Sequence, residues 1–296
     1  MEVTTVSTGM CHLGEGPVWN PRRQQLFWTD IFERRIWVHD PKSGASRVFW
    51  QGGLQVGGFA FTGDGALVLC TDRGVFRLGI DSSGVPRGEP ELLFHVTLTP
   101  DEMFNDITTD PAGRLFAGTL DRKRSTGTLY RFERGRPPVA VLQNVGCSNG
   151  MTFSLDERSF YHTDSAAYRI TRYVYECGTG DISSPAVYYQ GRREDGLPDG
   201  LTIDREGCIW SAFWGASVVR RLDPEGRPMR EVHIPARQPS SVMFGGPALD
   251  RLFVTSAAQG AVDLATGLSR DGIFLGGPVY CFSPGVAGRE EWPADL

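Results

Sequence analysis

The sequence predicts an all-β protein, a six-bladed β-propeller with four antiparallel strands per blade. Three observations lead there. First, six short apolar runs, five of them ending in a small or acidic residue, recur every 42 to 49 residues. They are Leu26–Asp30, Val68–Asp72, Leu115–Thr119, Phe160–Asp164, Ile209–Phe213 and Leu252–Ser256. Second, each run follows a polar turn, such as Thr62-Gly-Asp-Gly65 or Asp204-Arg-Glu-Gly207, and each turn follows another short apolar strand. Third, 37 of the 296 residues are glycine, with no three-residue period. That excess fits many tight turns and excludes collagen.

The rest of each unit follows in order. A third strand comes after each run, as in Ile36-Trp-Val38, Leu129–Phe132 and Val218–Leu222. A polar turn such as Asp40-Pro-Lys-Ser-Gly44 and a fourth strand such as Ala186–Tyr189 complete several copies. Four strands per forty-odd residues is the period of a propeller blade. Six copies fill residues 1–296 as one domain. Val3–Val6 precedes the first inner strand, so it is expected to close the ring as the outer strand of the last blade, which hides the sheet edges.

Composition bounds the function classes. The net charge is −5 and no basic face stands out, so a nucleic-acid partner is not expected. No stretch of 18 apolar residues occurs, so no membrane partner is expected. The first residues carry no basic region followed by an apolar one, and Cys11, Cys70, Cys147, Cys177, Cys208 and Cys281 form no CxxC pair. Free, mostly buried thiols and a cytoplasmic location follow as expectations. The five histidines share no ligand spacing; His162 reads as a buried, hydrogen-bonded side chain.

The repeat also serves as a ruler. Ten or eleven residues before each core run lies the head of the innermost strand. Those positions are Glu15, Gly57, Asn105, Asn149, Asp199 and Ser241. Rotation about the propeller axis brings them together at one end of the central channel. Glu15, Asn105, Asn149 and Asp199 form an all-oxygen set, which suits a hard divalent cation. Without one, two converging carboxylates would shift each other's pKa. Gly16, Gly150 and Gly200 follow three of them and allow a crowded backbone.

At these residues the chain resembles the senescence-marker-protein/gluconolactonase/luciferin-regenerating-enzyme family, the regucalcin-like propellers. Leu13–Trp19, Phe104–Thr119, Ser148–Phe153 and Leu197–Asp204 carry the resemblance, and it spans nearly the full chain. It implies a six-bladed propeller with one divalent cation held by Glu15, Asn149 and Asp199, with Asn105 contacting substrate. Ca²⁺ comes foremost, with Zn²⁺, Mn²⁺, Mg²⁺ or Fe²⁺ as alternatives. The family pattern has an Arg two residues before the Asn; this chain has Met103. A glutamate on the following loop is also replaced, by Arg122–Thr126. Met103 predicts a less polar ligand than a polyhydroxylated sugar lactone, with Glu102 or Arg122 as polar substitutes.

The expected activity is metal-dependent, gluconolactonase-like opening of a small-molecule lactone. The cation polarises the carbonyl, and Asp199 is general base and later acid. Two alternatives stand beside it: a phosphotriesterase or fluorophosphatase, and a calcium- or ligand-binding propeller without catalysis.

Overall fold

The computed structural model describes residues 1–296. The chain opens with β1 (Thr4–Ser7). Blade 1 holds β2 (Gly14–Asn20), β3 (Gln25–Asp30), β4 (Arg35–Asp40) and β5 (Ala45–Gln51). Blade 2 holds β6 (Val56–Phe61), β7 (Leu67–Thr71), β8 (Gly74–Ile80) and β9 (Pro86–Phe94). Blade 3 holds β10 (Glu102–Thr109), β11 (Leu115–Asp121), β12 (Gly127–Phe132) and β13 (Val139–Val145). Blade 4 holds β14 (Ser148–Phe153), β15 (Ser159–Asp164), β16 (Arg169–Glu176) and β17 (Asp181–Gln190). Blade 5 holds β18 (Leu197–Ile203), β19 (Ile209–Trp214), β20 (Val218–Leu222) and β21 (Pro228–His233). Blade 6 holds β22 (Pro239–Gly245), β23 (Arg251–Ser256) and β24 (Val279–Phe282).

Six four-stranded antiparallel sheets result, and β1 completes the last of them against β24, with Thr4 opposite Cys281 and Thr5 opposite Tyr280. The expected closure by the N-terminal segment is therefore present. No helix is long and apolar enough to cross a membrane.

The apolar core runs of the sequence are the second strands. Their side chains alternate between two neighbours. Phe27 packs toward blade 2 while Leu26 and Trp28 pack toward blade 6. Leu67 and Leu69 face blade 1 while Val68 and Cys70 face blade 3. Both faces are buried, which is why the runs read as continuous rather than alternating. Six apolar clusters fill the six blade-to-blade interfaces. Cys11, Cys70, Cys208 and Cys281 are buried and every cysteine is free. His162 is 3% exposed, and its Nε2 lies 2.7 Å from the Ser148 hydroxyl. Burial pushes its pKa down to about 4.

Two of the polar hairpin turns, in blades 3 and 5, are anchored by buried carboxylates. Asp204 Oδ1 accepts from the amides of Glu206 and Cys208, and Oδ2 accepts from Trp210 Nε1 at 2.9 Å and Arg221 Nε at 2.8 Å. Asp110 does the equivalent work in blade 3, with Arg114 and the Tyr175 hydroxyl. Replacing Asp204 by Ala leaves the buried Arg221 and Trp210 donors facing an empty site. The expected cost is about 3–5 kcal/mol, read as the shift in a urea or thermal unfolding midpoint. A loss below about 1 kcal/mol would show the pair to be dispensable.

One element had no sequence signal. The C-terminal segment crosses the base of the channel. Gly288 N donates to Leu249 O in blade 6, Ala294 N to Phe61 O in blade 2, and Asp295 N to Gly113 O in blade 3. Above it lies a cavity of about 170 Å³, lined among others by Asp106, Trp19, Thr108, Met151 and Trp292.

Candidate active site at the channel mouth

The ends of the core runs explain how the inner strands are held at the mouth. Asp30 Oδ1 accepts from Leu13 N at 3.1 Å, Asp72 Oδ1 from Gln55 N at 3.0 Å and Asp164 Oδ1 from Cys147 N at 3.0 Å. Each carboxylate thus fixes the loop that leads into an inner strand. The recurrent Thr-Asp ending is an anchor for the head of the strand beside it.

Every inner strand then carries one extra residue relative to its partner at the same level. The ladder shifts between Glu15 and Val18, Val56 and Gly58, Phe104 and Asp106, Asn149 and Met151, Pro198 and Leu201, and Pro239 and Val242. Such a bulge re-aims side chains. Glu15 and Asn149 stand on the ladder opposite Thr29 and Thr163, whereas Asn105 and Asp199 occupy the unpaired positions after Phe104 and Pro198. Positions one residue apart in register are therefore brought to one level.

Glu15, Asn149 and Asp199 are 7%, 6% and 5% exposed, so each is withheld from bulk water. Asn149 Nδ2 donates to Ser165 Oγ at 3.1 Å, and that hydroxyl donates to Pro198 O at 2.6 Å. This pins the amide and leaves Asn149 Oδ1 buried without a partner, as is Asp199 Oδ1. Glu15 Oε2 accepts only from Gly16 N. Asn105 Nδ2 donates to Ser148 O at 3.0 Å. The backbone packs closely enough that a Cβ on Gly150 would sit 2.4 Å from Asp199 O.

Asp106 joins the site although no sequence pattern marked it. It directly follows Asn105, and in a regular strand its side chain would point to the opposite face. Because of the bulge it lines the channel, and its carboxylate raises those of both Glu15 and Asp199. Burial pushes Asp106 up to about 7. Burial, then the charge of Asp106, holds Glu15 well above the usual carboxylate range, and burial, then the charges of Glu15 and Asp106, does the same for Asp199. No three His, Cys, Asp or Glu side chains stand together in metal-holding geometry anywhere in the chain. The set at the mouth instead mixes carboxylates with an amide. Its hard, buried, unpartnered oxygens fit a divalent cation.

At the rim, Glu102 Oε1 accepts from the Thr119 hydroxyl at 2.7 Å. Met103 is only 3% exposed and lies beneath Arg122, whose Nη2 is 2.8 Å from its sulfur. His12 faces Glu33 at 3.5 Å, away from this set of oxygens.

Fold and site together define a six-bladed propeller with an acidic, desolvated pocket at one end of its channel. The sequence pattern of the SMP-30/gluconolactonase/LRE-like region matches residues 13–258, and the chain belongs to that family. The pentonolactonase of Haloferax volcanii is 34% identical over 302 residues, covering 100% of this chain and 99% of that protein. The 6-deoxy-6-sulfogluconolactonase of Pseudomonas putida is 34% identical over 83% of this chain and 84% of its own length. Among solved structures, luciferin-regenerating enzyme superposes with a TM-score of 0.90 at 27% identity over 100% of this chain and 99% of that one. A calcium-binding protein, regucalcin, from Agrobacterium tumefaciens gives 0.89 at 27% identity over 99% and 97%.

Proposed function

We propose that this protein hydrolyses a lactone with the help of one divalent cation, Ca²⁺ foremost. The observation that carries the proposal is the pair of buried, unpartnered oxygens, Asn149 Oδ1 and Asp199 Oδ1, beside the carboxylate of Glu15. Two lactonases among its relatives support the substrate class. The regucalcin likeness supports the cation. Glu15, Asn149 and Asp199 would hold that cation, which when bound supplies Lewis-acid polarisation of a carbonyl and offsets the clustered negative charge.

The chain's own groups account for the proton transfers. Asp199 takes a proton from the attacking water as the water oxygen bonds to the carbonyl carbon. The ring C–O bond then breaks, and Asp199 returns the proton to the departing ring oxygen. The product is the open hydroxy acid, and the proton balance closes. Asn105, tethered to Ser148 O through its amide nitrogen, orients the substrate with its remaining polar atoms. The test is a lactone panel, sugar-derived and apolar, with one phosphotriester included, run with Ca²⁺, Mn²⁺, Mg²⁺, Zn²⁺ and Fe²⁺ in turn. Lactone opening that is lost on chelation and restored by cation is expected. No opening with any cation overturns the reading, and cation binding without turnover would make this a binding propeller.

A further inference from the structure

Blade 2 contributes no oxygen-bearing side chain at the level of the site. Val56 is buried in the interface with blade 1, and Gly57 and Gly58 have no side chain. Glycine at position 57 is forced by packing, because a Cβ there would lie 2.0 Å from Phe104 O. That sector of the mouth is consequently lined by backbone alone.

Arg122 leans across it. Its loop is set by Asp121 Oδ1, which accepts from Lys123 N and Arg124 N. From blade 3 the guanidinium reaches Gln55 Oε1, ahead of blade 2, at 3.4 Å, and lies 5.2 Å over the Phe32 ring of blade 1. Its neighbours are a thioether, an amide and an aromatic face, all of them weak or neutral partners. It joins no ion pair, unlike nearby Lys123 with Asp101, Arg73 with Asp72 and Arg35 with Asp30. The guanidinium is therefore pre-oriented without being neutralised, at the edge of a sector lined by backbone.

We infer that Arg122 is a substrate-contacting, specificity-determining residue, and that the preferred lactone carries an oxyanionic group, carboxylate, sulfonate or phosphate, remote from the scissile carbonyl and seated over blade 2. Guanidinium suits such groups because its planar donors match two oxygens at once. The inference rests on the lactonase reading and differs from the expectation drawn from Met103. Met103 is covered, so the polar character of this part of the rim is set by the arginine above it.

The experiment compares a neutral aldonolactone with lactones of the same ring bearing a terminal carboxylate or a terminal sulfonate, using the cation-loaded full chain. Wild type should favour the anionic lactones in kcat/KM by about tenfold or more at low ionic strength, with the preference shrinking in high salt. Arg122→Gln should raise KM for the anionic lactones by about tenfold and disturb kcat far less, with a smaller loss on the neutral one. Arg122→Lys should recover part of the preference, and Arg122→Glu should invert it. Preference for one anionic lactone over the other identifies the group. Equal losses on neutral and anionic substrates, or no preference in wild type, overturn this inference alone. Failure to open any of the three overturns the lactonase reading and this inference with it.

Discussion

Asp199→Asn is expected to reduce lactone opening by about 10²–10⁴-fold, the usual worth of a positioned general acid–base group. Asparagine has nearly the same shape, so the blade 5 bulge and its contacts remain. It cannot take the proton of the attacking water or return one to the ring oxygen. The fold should not suffer: the aspartate is 5% exposed, its Oδ1 is unpartnered, and its charge is opposed by Glu15 and Asp106. A neutral amide there relieves repulsion, so the cation-free variant should unfold at the same temperature as wild type or slightly higher. Cation affinity should fall, since one carboxylate is lost. Turnover measured at saturating cation separates that effect from the chemical one. Retention of more than about a tenth of wild-type kcat under those conditions would remove Asp199 from the proton-transfer role.

Stripping the cation should make the protein lose stability as pH rises from about 4 to about 7, the span between the unfolded and folded titration of Asp106. In the unfolded chain Glu15, Asp106 and Asp199 ionise near pH 4. In the fold Asp106 titrates at about 7, and Glu15 and Asp199 well above the ordinary range. Across the interval the folded protein holds more protons than the unfolded one, so each step up in pH favours unfolding. Asp106 alone, shifted from 3.8 to about 7, opposes the fold by up to about 4 kcal/mol once both states are ionised. His162, pushed down to about 4, acts in the opposite direction between about pH 4 and 6.5 and offsets part of the fall. Scanning calorimetry should show the Tm falling by several degrees in chelator, with saturating Ca²⁺ removing most of the fall. Asp106→Asn should flatten the cation-free profile. A cation-free Tm that is level or rising over this window would mean the carboxylates are not desolvated together.

Much of this molecule was readable one residue at a time. The core runs Leu26–Asp30 to Leu252–Ser256 announced their period because a strand buried on both faces has no choice but to be apolar throughout. The head positions Glu15, Asn105, Asn149 and Asp199 followed from that period, since rotation about one axis turns equal spacing into spatial proximity. Asp106 was not readable, although it stands next to Asn105. Alternation assigns neighbouring residues to opposite faces, and only the bulge after Phe104 cancels that rule. The burial of Met103 was unreadable for a related reason. The loop after Asp121 lays Arg122 over it, a contact between residues 19 apart whose geometry no local pattern encodes. The tail beneath the channel gave no signal because it forms no strand of its own and is held by backbone hydrogen bonds to four blades.

The amino-acid order by itself determined the number of blades, the strand sequence within each, the closure by the N-terminal segment and the oxygen-rich end of the channel. These depend on periodicity, and periodicity is a property of the chain. The tertiary structure alone decided which oxygens stay unpartnered, which three carboxylates share one desolvated space and which sector of the mouth is lined by backbone beneath a guanidinium without an ion pair. Those depend on bulges, burial and loops meeting across blades, where contact is set by three-dimensional proximity and the low dielectric around it rather than by spacing along the sequence.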